Sequence, residues 1–188
     1  MTTPSQPPED HETRSWTAPV MTSLKVLVGG ISGGIALMGV ALAFILKFTA
    51  PPLWAVAVLL LIGLGAHTVI VAVGYRAKPL PPQTPTRDAG ALSMRVFRSL
   101  MMVRMALAES VALLGILLAF VTTGTSWLLF AVGAAVSLLL IALHVWPSRS
   151  TVDRVVTALE KDGARTGLHE TLGLGDGPPG PGPQPGQP

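Results

Sequence analysis

Four long apolar stretches, separated by polar segments, dominate the pattern of the chain. Each holds roughly 20 residues, which is the length that an α-helix needs to cross the hydrocarbon core of a bilayer. None shows the polar–apolar alternation of a half-buried strand, and a segment in lipid must pair its own backbone groups. The pattern therefore predicts transmembrane helices at about 24–46, 53–75, 102–121 and 126–146.

The connections between these spans predict one four-helix transmembrane domain over residues 23–147. The first connection is a tight turn, because Pro51 and Pro52 cannot continue a helix. The third is shorter and contains Gly124. The second, predicted to be a cytoplasmic loop over 76–101, starts with a proline-rich extended part, and from Ala89 onward it has a helical pattern that can merge with the third span.

The two ends of the chain are polar. Residues 1–22 contain four prolines and three acids, which is too acidic for a cleavable signal peptide, so we expect a disordered cytoplasmic leader and a retained first span. Segment 148–176 should be cytoplasmic and hold one short amphipathic helix, capped by Ser150 or Thr151, that docks on the membrane surface or on a partner. Residues 177–188 contain only Gly, Pro and Gln and should be disordered.

Composition supports an all-α, polytopic membrane protein. Charged residues make up only 12% of the chain against about 25% in a typical soluble domain. The chain has no cysteine, which excludes disulfides, thiolate metal sites and thiol catalysis.

Basic residues predict the orientation of the four spans. Of the 13 lysines and arginines, Lys47 alone falls in a connection on the second side of the membrane. The positive-inside rule then places both termini and the long loop in the cytoplasm. Frequent Arg, Ala, Gly, Pro and Val indicate a high-GC bacterium, so the predicted location is the bacterial cell membrane.

Glycines form small-xxx-small patterns near the start of the first span, at Gly29, Gly30, Gly33 and Gly34. Such a groove lets another helix approach closely. Two interpretations are open: packing within this bundle, or association with a second copy of the chain.

Glu109 is the one acid inside the third apolar run, where a charged carboxylate is costly and often marks a transport pathway or an internal ion pair. His67, at a similar depth on the second span, is the predicted partner, and Arg104 is an alternative partner. The alternative is a purely structural Glu109, either buried and hydrogen-bonded to a neighbour or close enough to the cytoplasmic interface to be hydrated. His144, near the end of the fourth span, is interpreted as an interfacial anchor. Nothing in the spacing of these groups predicts a metal site.

The segment from Ala108 to Phe120 resembles the carboxylate helix of the proteolipid c subunits of rotary ATPases, in which a Glu is followed six residues later by Gly, as Glu109 and Gly115 are here. The resemblance covers about thirteen residues and implies that Glu109 carries a proton. An intramembrane Glu in a four-span chain also resembles small multidrug transporters, where it lies on the first span. As a whole, the chain resembles four-span membrane proteins of actinobacteria.

The basic part of the long loop offers a second candidate site. Leu92, Val96, Leu100 and Val103 fall near one face of a helix and predict a segment that lies on the membrane surface. Anionic lipid headgroups can then bind the nearby arginines, which are Arg95, Arg98 and Arg104. The alternative is that these arginines only set topology.

These features favour a non-catalytic membrane protein, an accessory or scaffold subunit of a membrane assembly. The alternative is a small oligomeric, proton-coupled ion or solute carrier that uses Glu109. No nucleophile–base pair and no nucleotide-binding loop occurs in the sequence, so no enzyme activity and no cofactor are predicted. The predicted partners are the lipid bilayer and either a second copy or another membrane protein, and not a nucleic acid.

Overall fold

A computed structural model describes residues 17–122, 126–172 and 174. The regular elements among these residues are all helices, with turns and irregular connections between them and no strand. Four of the helices in the described part are long and apolar enough to cross a membrane. Most of the predicted leader and all of the predicted tail at 177–188 lie outside the described residues.

Within the described ranges, six α-helices and one π-helical turn follow one another. Their bounds are α1 (Thr17–Ala43), α2 (Leu53–Val73), α3 (Thr86–Val121), α4 (Trp127–Leu140), the π-helical turn (Ile141–Val145), α5 (Arg149–Leu159) and α6 (Leu168–Thr171). The first span starts earlier than the pattern indicated and ends at Ala43. The long loop is shorter than predicted, because α3 begins directly after Pro85 and runs on without interruption through the third span.

The four long helices run up and down, so their connections meet at two opposite ends. At one end, which we call the Lys47 end, the backbone N–H of Trp127 donates to the Lys47 carbonyl (2.9 Å). There the Ser126 hydroxyl also donates to the Thr49 carbonyl (2.6 Å). At the other, which we call the Arg104 end, α2 and the π-helical turn finish and α5 and α6 pack.

Helices α3 and α4 form the centre of the bundle and make its most extensive contact. Two glycines allow this approach: a Cβ atom on Gly133 would lie 2.9 Å from the Val111 carbonyl oxygen, and one on Gly115 would lie 3.2 Å from the Leu129 carbonyl oxygen. Any larger residue at either position would separate the two backbones.

The glycine stripe of α1 does not take part in this packing. A Cβ atom added to any of its four members would meet nothing within 4 Å; they are Gly29, Gly30, Gly33 and Gly34. The intramolecular interpretation of the stripe is therefore wrong, and its contact with a second chain stays a prediction. Gly39, farther along α1, is the glycine that touches α4, through the ring of Phe130.

The extra length of α3 supports a second layer of structure at the Arg104 end. With 36 residues, α3 is about 54 Å long at 1.5 Å per residue, well beyond the thickness of a bilayer core. Its first half buries a face of Ala89, Ser93, Phe97 and Met101. Phe97 and Met101 belong to the same apolar core as residues of α5 and α6. The predicted apolar stripe is not the buried face, since Leu92 and Val103 are 44% and 43% exposed.

Helix α5 docks on its own chain, not on a membrane surface or a partner as predicted. Val152, Val155 and Leu159 on its apolar face are fully buried, and the Leu159 carbonyl accepts a hydrogen bond from the Leu80 N–H (2.9 Å). The helix also starts earlier than expected, because its N-cap is Ser148, whose hydroxyl accepts from the Thr151 N–H (3.4 Å).

Candidate functional site

A chain of three polar side chains links α2 to the π-helical turn at the Arg104 end. Nε2 of His144 lies 3.0 Å from Nδ1 of His67. Nδ1 of His144 lies 3.1 Å from the hydroxyl of Tyr75, which follows α2. We call these three residues, together with Arg104 and Arg154, the Arg104 cluster.

The π-helical turn brings His144 into this chain. Its extra residue per turn is closed by a hydrogen bond from the Trp146 N–H to the Ile141 carbonyl (2.9 Å). Such a turn rotates the following side chains relative to the helix before it, and π-helical turns often occur at functional sites. His144 is only 5% exposed, so its interpretation as a wet interfacial anchor is wrong.

Either direction of proton donation satisfies the chain of His67, His144 and Tyr75. In one, the Tyr75 hydroxyl donates to His144 Nδ1 and His144 Nε2 donates to His67 Nδ1. In the other, both bonds reverse and each histidine changes tautomer. The three side chains can therefore adopt two hydrogen-bond arrangements, in both of which the two imidazoles are neutral.

Arg104 crosses from α3 to the end of α2 and is fully buried. Its aliphatic stem lies against Gly74, where a Cβ atom would come within 2.8 Å of the arginine Cγ. Its Nε donates to the Leu100 carbonyl (3.2 Å), and its Cζ lies 4.6 Å from the centre of the Tyr75 ring. Cζ of the exposed Arg154, on α5, lies 5.1 Å from the same ring.

No carboxylate balances the two guanidinium groups among the described residues. Both terminal nitrogens of Arg104 are buried and have no hydrogen-bond partner there. The acids in α5 and at its C-cap have other partners: Asp153 pairs with His169 (3.3 Å), and Glu160 accepts from Thr166. A cation–π contact contributes about 0.5–2 kcal/mol, whereas burying a charge costs several kcal/mol, so the cluster has an excess of positive charge that the described residues do not compensate.

Glu109 lies away from this cluster, in an open groove between α1 and α3 with a volume of about 290 Å³. Apolar side chains surround the partly buried carboxyl group; the other lining residues are Ile31, Gly34, Ile35, Met38, Ala112, Leu113, Ile116 and Phe130. Among the described residues no hydrogen bond or ion pair includes Glu109. The structure therefore pairs it with neither predicted partner, since His67 binds His144 and Arg104 packs on Tyr75.

The three candidate headgroup arginines occupy different surroundings. Arg95 and Arg98 are exposed on the first half of α3. Arg98 lines a second cavity of about 250 Å³ between α1 and α3, with Ser23 and Met101 among its neighbours. Only Arg104 is buried.

Three members of the cluster were not predicted from sequence: Tyr75, His144 as an inward-facing residue, and Arg154. A usable signal existed for Tyr75, which is the only tyrosine of the chain and stands where the second apolar run ends. Within the described ranges no three histidine, aspartate or glutamate side chains lie close enough together to bind a metal ion. No protein-family model, curated protein or solved structure matches the chain.

Proposed function

We propose that the chain is a non-catalytic membrane protein that serves as an accessory subunit of an assembly in a bacterial cell membrane, with both termini in the cytoplasm. The observation that carries the proposal is the Glu109 groove. A carboxyl group lies there on the outer side of the bundle, surrounded by apolar side chains and without a partner in the described chain.

A transmembrane helix with a hydrogen-bond donor is the occupant that this groove fits. Polar side chains in lipid are costly alone and bind across helix–helix contacts. Gly34 lines the groove, and the other glycines of the stripe leave open space beside it. A partner helix can therefore approach α1 closely and place its donor against Glu109, which completes a site that the single chain leaves open.

Photocrosslinking in native membranes tests this proposal. A photoreactive amino acid replaces Leu113, which lines the groove, and a matched control replaces Leu64 of α2, which is 62% exposed on another face. We expect one discrete adduct from position 113, mapped by mass spectrometry to a transmembrane helix with a donor residue, and only lipid adducts from position 64. Adding Glu109→Leu should abolish the protein adduct. Lipid adducts alone at position 113 would contradict the proposal.

The second candidate is the oligomeric proton-coupled carrier, which the unpaired state of Glu109 also favours. A hydrophobic carbodiimide should then modify Glu109 in the purified protein in lipid, and Glu109→Gln should abolish proton-coupled transport while the fold is retained. A crosslink from position 113 to the same helix of a second copy would support this candidate over the accessory subunit. Absence of carbodiimide labelling at any pH below about 8 would exclude it.

A further inference from the structure

The Arg104 cluster has the composition of an anion site. Two guanidinium groups lie on the ring of Tyr75, and two imidazoles and a phenol continue from it. Both terminal nitrogens of Arg104 are buried without a partner, and neither arginine forms an ion pair within the described part of the chain. Because a guanidinium group stays protonated, it cannot lose its charge when it is buried, and it requires a counter-charge.

The chemistry and the position of the cluster favour a phosphate group as the bound anion. The planar fork of arginine matches the oxygens of a phosphate with two parallel hydrogen bonds. The cluster lies where α2 ends and α4 passes into α5, beside the partly exposed Trp146. Aromatic residues of this kind mark the level of the membrane–water interface, where lipid phosphates and soluble phosphates are both present.

We propose that Arg104 and Arg154 bind one phosphate group, carried either by an anionic lipid headgroup or by a soluble anion. Arg104 supplies the buried half of the site, held by Gly74 and the Leu100 carbonyl. Arg154, which is exposed, moves away from the Tyr75 ring to admit the anion and then closes on it. The site is independent of the Glu109 groove and of the proposed accessory function.

The test uses the purified full chain in nanodiscs of phosphatidylcholine, whose headgroup has no net charge. Thermal unfolding is followed through the fluorescence of its four tryptophans. One arm adds inorganic phosphate, with chloride at equal ionic strength as the control for screening. The other replaces part of the lipid by phosphatidic acid. We expect Tm to rise in at least one arm, because a ligand that binds only the folded state stabilises it; the first arm identifies a soluble anion and the second a lipid.

Substitutions at the two arginines, with a matched control, distinguish specific phosphate binding from non-specific attraction of anions to a basic surface. Arg154→Gln should weaken binding roughly tenfold to a hundredfold, as expected for the loss of a charge-assisted hydrogen bond. Arg104→Gln should abolish the Tm rise and should leave the anion-free protein at least as stable as the wild type, because the unpaired charge is gone. Arg165→Gln removes the same charge from an exposed position between α5 and α6 and should change nothing.

Two results would contradict the proposed phosphate site. In the first, neither probe raises Tm of the wild type beyond the chloride control. In the second, Arg165→Gln reduces the effect as much as Arg154→Gln does, which would show diffuse attraction to a basic surface. Arg104→Lys guards against a folding defect in Arg104→Gln: it keeps the charge but loses the fork, so it should bind more weakly than the wild type.

Discussion

His144 shows how one residue can join separate helices at this end of the molecule. It is the shared member of two hydrogen bonds, one to His67 of α2 and one to Tyr75 beyond it. Because it is buried, water cannot replace either bond at low cost. Its contribution to stability should therefore be larger than that of an exposed histidine.

The first prediction is that His144→Ala lowers the free energy of unfolding by roughly 2–4 kcal/mol, from the cavity and the two unpaired groups that remain. Chemical unfolding in detergent measures it. His169→Ala is the control, since the ion pair of His169 with Asp153 is partly exposed and is worth less than about 1 kcal/mol. Equal losses would show that the His144 bonds do not stabilise the bundle.

The second prediction concerns Glu109. Because no partner within the described chain depends on it, Glu109→Leu should leave the free energy of unfolding of the isolated protein unchanged or raise it. Glu160→Leu is the comparison, because Glu160 accepts two hydrogen bonds from Thr166, and it should cost roughly 1–3 kcal/mol. Unfolding of both variants in detergent checks this, and a clear loss for Glu109→Leu would reveal an internal partner.

At the scale of the helices, glycine has two opposite roles in this chain. In α3 and α4 it allows two backbones to touch, as at Gly115 and Gly133. In α1 it leaves a bare face that no described residue covers, as at Gly33. Gly115 and Gly133 are therefore needed for the contact between α3 and α4, whereas Gly33 contributes to no helix contact within the described chain.

The third prediction follows from this contrast. Gly133→Ala should destabilise the bundle by about 1–3 kcal/mol, because its Cβ would lie 2.9 Å from the Val111 carbonyl oxygen and the helices must separate. Gly33→Ala should stabilise the isolated protein by about 0.5–1 kcal/mol, because alanine favours the helix and has open space. Thermal unfolding of both variants in one detergent shows whether each substitution lowers or raises the stability. A change in the same direction for both would contradict the packing described for the two glycines.

The sequence predicted the four apolar helices well, because roughly 20 uninterrupted apolar residues leave few other structures in lipid. It did not predict which faces would pack. Apolar residues occupy several faces of α3, and the buried face of its first half combines the small Ala89 and Ser93 with the larger Phe97 and Met101. The buried orientation of His144 could not be predicted from the sequence either, because hydrophobic periodicity does not reveal a single π-helical turn.

At the scale of the whole molecule, the described basic side chains are concentrated at one end of the bundle. Lys47 is the one basic side chain at its end in the part that the structure describes, and the other end carries α5, α6 and the remaining described basic side chains. A membrane with an asymmetric charge preference can therefore orient the entire bundle, because the two ends differ so strongly in positive charge.

The fourth prediction is a labelling pattern in intact cells. The chain has no cysteine, so single cysteines report without background. A cysteine at the exposed position Ala50, near the Lys47 end, should react with an impermeant thiol reagent. One at the exposed Gln83, between α2 and α3, should be protected until the cells are opened. Labelling of both from outside would refute the four-span orientation.

Helix α1 has its most extensive contact with another helix in α4, where the Trp127 indole donates to the Gly39 carbonyl (2.8 Å). On the ribosome, however, α1 is made first and α4 is the last of the four long helices to be made. For the whole time in which α2 and α3 are synthesised, α1 therefore exists without its main partner. During synthesis the face of the first helix that later contacts α4 is therefore open to another helix or another chain until Trp127 has been made.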